Sequence, residues 1–186
     1  MNLFTISNNP TFCVQSLDDV LLRKTILESA QILSTAIHVQ KDEGIIEEDI
    51  PDCLYKSYNA GEEHNVWARE SQLNYRWTFY YLLAGLDELK YRFNDTHDAA
   101  LRVVPYVSKY EKYFPNVPMT PFPRKFNQSY ENYRELMEMP DTFRAYQQYL
   151  ITKWNKNKEK IQKEGKEDKR IFSGWTKREQ PEFYKG

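Results

Sequence analysis

Apolar residues recur at three- and four-residue steps from Leu17 to about His38, at Leu22, Ile26, Ala30, Leu33 and Ile37. That spacing predicts a helix with one continuous apolar face. Ser16, ahead of Leu17-Asp18-Asp19, supplies an N-cap and first-turn acids that complement the helix dipole. A second run, about Glu63 to Phe93, is apolar or aromatic on most sides and predicts a long, central, largely buried helix. Asn94-Asp95-Thr96 ends it and caps a short helix through Val104 that stops near Pro105. Two more helical stretches, about Gln128–Met139 and Thr142–Glu164, are separated at Pro140-Asp141.

The connecting segments carry their own signals. Residues 1–14 read as extended, because Asn8-Asn9-Pro10 is turn chemistry. Residues 40–61 are acidic, contain Gly44, Pro51 and Gly61, and read as a surface loop. Pro115, Pro118, Pro121 and Pro123 exclude regular helix from 113–124 and imply an extended wrap. From Ile171 onward, Trp175, Pro181, Phe183 and Tyr184 suggest an aromatic strap docked on the body. No internal repeat is present. The expected fold class is therefore mainly α. It is a compact single-domain bundle over residues 1–186, built around a long central helix, with a Pro-rich extended segment, a basic helix at 153–170 and a strap at 171–186.

Composition narrows the function classes. No apolar run approaches the roughly 20 residues that span a bilayer, and the first residues lack the basic and apolar regions of a secretory signal. The expectation is a soluble, cytoplasmic protein with no membrane partner. Cys13 and Cys53 sit in no metal-ligand spacing; a disulfide between them stays open, and a reducing compartment is the default. The net charge of −1 argues against a strongly basic nucleic-acid coat, but charge is uneven. Residues 41–52 hold one base and six acids, whereas 153–170 hold eight bases and four acids. The basic stretch is either a solvated helix face or a contact for phosphate. Aromatic residues reach 15%, which suits half-wet pocket walls and interfaces.

Candidate chemistry follows the helices. Lys24, Glu28, Gln31 and Thr35 share a line on the first helix, bordered by Leu17, Val20, Leu21 and Leu27. The line reads either as an exposed Lys–Glu pair or as a polar seam within a second packing interface. Along the long helix, Trp67, Glu70, Asn74, Tyr81, Gly85, Glu88 and Arg92 form one stripe, with His64 at its entrance. Such groups on a buried helix must satisfy each other or a ligand. His38, His64 and His97 are scattered, and no HExxH, CxxC, GxxxxGK[ST] or GxGxxG run occurs, so neither metal nor cofactor is expected.

The stretch Leu17-Asp18-Asp19 followed by Lys24-Thr25-Ile26-Leu27-Glu28-Ser29-Ala30-Gln31 resembles a family of small uncharacterised bacteriophage proteins. So do His64-x-x-Trp67-x-Arg69, Asn74-Tyr75-x-Trp77, Tyr91-Arg92-Phe93 with His97, the 118–122 run, and Ala145-Tyr146-x-x-Tyr149. The resemblance spans most of the chain and, if the chain is phage-encoded, implies the host cytoplasm. More distantly the layout resembles the phage pyrimidine-dimer DNA glycosylases. These are compact helical enzymes in which an amine attacks the sugar C1′ to form a Schiff base and a glutamate stabilises the developing charge. By position Glu28 matches that glutamate. The amine in that family belongs to a small residue exposed by removal of the initiator Met. Residue 2 here is Asn2, which disfavours removal, and Lys24 is the other candidate.

The leading expectation is a phage-type protein directed at nucleic acid or a nucleotide, a base-excising (glycosylase/lyase-like) or base-modifying enzyme. Glu28 and Lys24 form its catalytic pair. Its substrate-binding set is Gln31, His64, Trp67, Arg69, Asn74, Tyr81, Glu88, Arg92 and His97. Lys24 and Arg92 would bind phosphate or ribose oxygens, Trp67 and Tyr81 would stack on a base, and His64 and Asn74 would read polar edges. The competing expectation is a non-enzymatic phage factor that binds a host protein or a small nucleotide. It would work through the acidic loop or the basic helix. A structural virion component is disfavoured by the lack of repeats and assembly arms.

Overall fold

The computed structural model describes residues 1–164, 172 and 174–185. The protein is mainly helical, with no strand among those residues, so the expected helical-bundle class holds. Seven α-helices follow in order: α1 (Pro10–Gln15), α2 (Asp19–Asp42), α3 (Glu63–Glu70), α4 (Gln72–Phe93), α5 (Asp98–Val107), α6 (Tyr133–Glu138) and α7 (Thr142–Glu164). Short 3-10 turns lie at Ser108–Tyr113 and Glu182–Tyr184. No helix among the described residues is long and apolar enough to cross a membrane.

The hub is α2. Its expected face, Leu22, Ile26, Ala30, Leu33 and Ile37, is buried, but so are Leu21, Thr25, Ser29, Ile32 and Ala36 on its other sides. It packs on α3, α4 and α5. Asp18, rather than Ser16, caps it, accepting from the Val20 amide. Gly44 at φ +75 ends it, taking the left-handed conformation that only glycine adopts freely, while the Ile45 and Ile46 amides turn back to the Gln40 carbonyl.

The expected single helix from 63 to 93 is two helices. At Ser71 the backbone swings to φ −152, ψ 157 and the hydroxyl accepts the Asn74 amide, an N-cap in mid-run. The Gln72 amide, which a continuous helix would use internally, goes to the Pro115 carbonyl. Three other boundaries move for local reasons. Asn8-Asn9-Pro10 opens α1 rather than a turn, with Asn9 as cap and Pro10 in the first turn. His97 caps α5, which carries Pro105 inside its last turn and runs on into the 3-10 turn. Of 128–139 only Tyr133–Glu138 is helical.

The Pro-rich segment is extended, as its spacing requires, and is held at Thr120, chiefly by Asn74. Asn74 donates to the Trp67 carbonyl and the Thr120 hydroxyl, and accepts the Thr120 amide. Of the basic helix expected at 153–170, residues 165–170 lie outside the described residues, as do 171, 173 and 186 of the strap. The described part of the strap docks. The Gly174 carbonyl accepts the Asp19 amide, the Trp175 indole donates to the Ser16 carbonyl, and Trp175 and Tyr184 pack edge-on against Trp154 of α7.

A candidate anion-binding cleft

One turn separates Lys24 and Glu28 on α2, so both project to the same side, with Lys24 Nζ 3.6 Å from the Glu28 carboxylate. Lys24 is more than half exposed, whereas the Glu28 side chain is only 13% exposed. The first residues of the chain cover it. The Asn2 amide donates to Glu28 at 3.0 Å, the Asn2 carboxamide donates to the Lys125 carbonyl at 2.7 Å, and its oxygen accepts the Phe4 amide at 2.9 Å. This turn holds Phe4 at φ 45, a left-handed conformation costing a bulky residue about 1–3 kcal/mol. The ring repays part of that cost by stacking on Tyr149.

Around Glu28 these elements leave a cleft of about 200 Å³. Lys24 comes from α2, Lys125 and Phe126 from the extended segment, and Tyr149 and Lys153 from α7. Three amines and one carboxylate therefore meet in a small concavity with aromatic walls. Lys125 is tethered, donating to the buried Glu62 carboxylate. Burial alone would raise the Glu62 carboxyl, but hydrogen bonds from His64 and Lys125 bring it down to about 2. Glu62 also caps α3, accepting the His64 amide. Lys153 differs from its neighbours. It has no carboxylate at ion-pair distance among the described residues, and burial, then the nearby Lys24 charge, pull its ammonium below the usual lysine range. A second cleft of about 350 Å³ lies on the far side of Lys125 and Phe126, lined by Glu63, Arg124, Gln128 and Tyr133.

No family model, curated protein or solved structure matches this chain.

Of the residues expected to form a site, only Lys24 and Glu28 line this cleft. His64 lies behind it, fully buried, with Nδ1 3.5 Å from Glu62 and Nε2 without a partner; burial lowers its basicity, favouring the neutral ring. Gln31 lies one turn beyond Glu28 on α2, half-buried. The other expected residues lie away from this cleft and make contacts within the protein. Trp67 is buried among Trp77 and Phe122 and donates to the Thr120 carbonyl. Asn74 is buried as the Pro-segment pin, and Tyr81 packs on Trp77. Arg69 holds the Ala60 and Asn65 carbonyls, and His97 caps α5. Arg92 and Glu88 form an internal network: Arg92 donates to Glu88, Asp19 and the Leu17 and Gln15 carbonyls, and Arg178 of the strap donates to Glu88. Gly85 gives room to a neighbour, since a Cβ there would stand 2.8 Å from Ile26 Cγ1.

Asn2, Lys125, Phe126, Tyr149 and Lys153 were not among the expected residues. They sit on three segments remote in sequence, so no spacing rule relates them. The one available signal was Lys153 beside Tyr149 on a helix whose Tyr146, Tyr149 and Leu150 face inward.

Proposed function

We propose that the chain acts on nucleic acid or a nucleotide through the Glu28 cleft. The carrying observation is the meeting of Lys24, Lys125 and Lys153 with one largely buried carboxylate in about 200 Å³. Three lysine ammoniums against Glu28 in the cleft and Glu62 behind Lys125 leave an excess of positive charge, which favours a phosphate-bearing ligand. The volume is on the scale of a sugar phosphate, and Phe126 and Tyr149 give the sugar an apolar wall. Glu28, held by the Asn2 amide, is placed to stabilise positive charge developing on that sugar or to move a proton, as base excision or base modification requires. The resemblance to the phage glycosylases supports the same role for Glu28.

Fluorescence anisotropy with a labelled single-stranded oligonucleotide tests the binding, and a damage-containing oligonucleotide tests the chemistry. Binding should weaken steeply with salt. Glu28→Gln should abolish product formation while shifting the thermal midpoint by less than about 2 °C. Salt-independent binding, or a large loss of stability in Glu28→Gln, would count against the reading.

A second reading has its own observation. Asp42, Glu43, Glu47, Glu48, Asp49 and Asp52 are all exposed, and Lys41 folds their loop by donating to the Glu47 and Glu48 carbonyls. This acidic surface lies about 22 Å along α2 from Glu28 and would suit a basic protein partner without any catalysis. Charge reversal in this loop that abolishes function with the cleft intact would favour it.

A further inference from the structure

We propose that Lys153 is the nucleophilic amine of the cleft, forming an imine with the aldehyde carbon of a phosphate-bearing sugar. The inference rests on the cleft being a phosphate site and adds the group that reacts there. Each of the three amines has a different surrounding. Lys24 is more than half exposed and sits 3.6 Å from Glu28, which engages it in an ion pair. Lys125 is engaged with the buried Glu62. Lys153 lies on α7 between the buried Tyr149 and Trp154, is itself half-buried, and faces the same cleft with no carboxylate in ion-pair contact among the described residues. Burial, then the Lys24 charge, lower the Lys153 ammonium against a smaller opposing pull from Asp18 and Glu28, and a half-buried lysine without an ion-pair partner, lining a cleft that also holds a carboxylate, is disposed to attack a carbonyl. The division of labour follows. Lys24 and Lys125 hold the phosphate, and Lys153 supplies the lone pair.

The step balances without a redox partner. The Lys153 nitrogen forms a bond to the aldehyde carbon as the C=O π pair moves to oxygen. Glu28 carries one proton from the nitrogen to that oxygen, giving the carbinolamine, and then a second, so that the oxygen leaves as water while the nitrogen lone pair closes the C=N bond. Amine and aldehyde thus give imine and one water, with Glu28 unchanged. The aldehyde can belong to a free sugar phosphate or to the ring-opened sugar of an abasic site in a DNA strand, and both present the same carbon one sugar from a phosphate.

Pyridoxal 5′-phosphate, an anionic aldehyde, probes the amine on the intact protein. Borohydride reduction followed by peptide mass spectrometry should place one equivalent of label on the peptide carrying Lys153. Inorganic phosphate should protect it. Lys153→Arg, which keeps the charge, should lower labelling at least tenfold with the melt unchanged, and Lys24→Gln should weaken labelling through phosphate binding. Label spread over lysines in proportion to exposure, label on Lys24, Lys125 or the N-terminal amine, or an undiminished rate in Lys153→Arg would overturn the proposal. Parallel trapping with deoxyribose 5-phosphate and with an abasic oligonucleotide separates the two sources. Capture of either on Lys153 supports the proposal, and capture of neither overturns it. Anisotropy with the undamaged oligonucleotide reads the site independently. If that binding fails while pyridoxal phosphate still marks Lys153, the nucleic-acid reading falls and the reactive amine stands.

Discussion

At the mouth of α2, Asp18 accepts the Trp154 indole N–H at 2.9 Å and caps the Val20 amide, yet burial lifts its carboxyl to about 6. A carboxyl whose proton is held more tightly in the fold contributes stability below its usual 3.8, and that contribution is lost as pH rises through 6. The gap corresponds to about 3 kcal/mol. Asn keeps both the cap and an acceptor for the indole but cannot ionise. Asp18→Asn should therefore melt higher than the parent at pH 8, and the difference should vanish near pH 4; equal melts at both values would show that the carboxylate is not strained. The same scale shows what sequence spacing can and cannot see. Lys24 and Glu28 were legible because four residues on a helix guarantee one side. The buried stripe of Asn74, Glu88 and Arg92 was legible as a set needing partners, and the structure supplies Thr120, Asp19 and Arg178 from segments the spacing could not name. Burial demands satisfaction and does not name who supplies it.

Between elements, the decisive approach is α4 onto α2 at Gly85. A Cβ there would meet Ile26 Cγ1 at 2.8 Å, a branch carbon that cannot swing aside. Overpacking of this kind costs about 1–3 kcal/mol, against about 1 kcal/mol gained from helix propensity. Gly85→Ala should destabilise by about 1 kcal/mol in urea. In Ile26→Ala, where the obstructing carbon is gone, adding Gly85→Ala should stabilise, and additive effects would refute the contact. Most helices were legible from their apolar period, and the start of α7 at Thr142 was read to the residue. The break at Ser71 was not. An apolar period continues across α3 and α4 because both pack on α2, so the pattern records the shared face and hides the change of axis. Ser71 three residues before Asn74 was the local signal, outweighed by the strong pattern around it.

For the molecule as a whole, one ionic network joins segments that the chain separates widely. Arg92 is fully buried and bonded to Glu88, Asp19 and two carbonyls before α2, while the strap adds Thr176 on Asp19 and Arg178 on Glu88. Removing the shared cation leaves two buried carboxylates short of donors, so Arg92→Met should cost about 3–5 kcal/mol. Arg178→Ala, with its side chain about one-third exposed, should cost about 1 kcal/mol or less in the same denaturant series. Equal losses would mean that the strap, and not the core cation, carries the joint. The cleft is assembled in the same dispersed way: its walls come from the first four residues, from α2, from residues 125–127 and from α7. This has a consequence for synthesis. A ribosome delivers these walls one after another, and Lys153 emerges long after Glu28, with the strap that steadies α2 later still. Under the proposed imine chemistry, a nascent chain would carry Glu28, Lys24 and Lys125 but not Lys153, and would stay chemically silent until α7 has folded back beside α2.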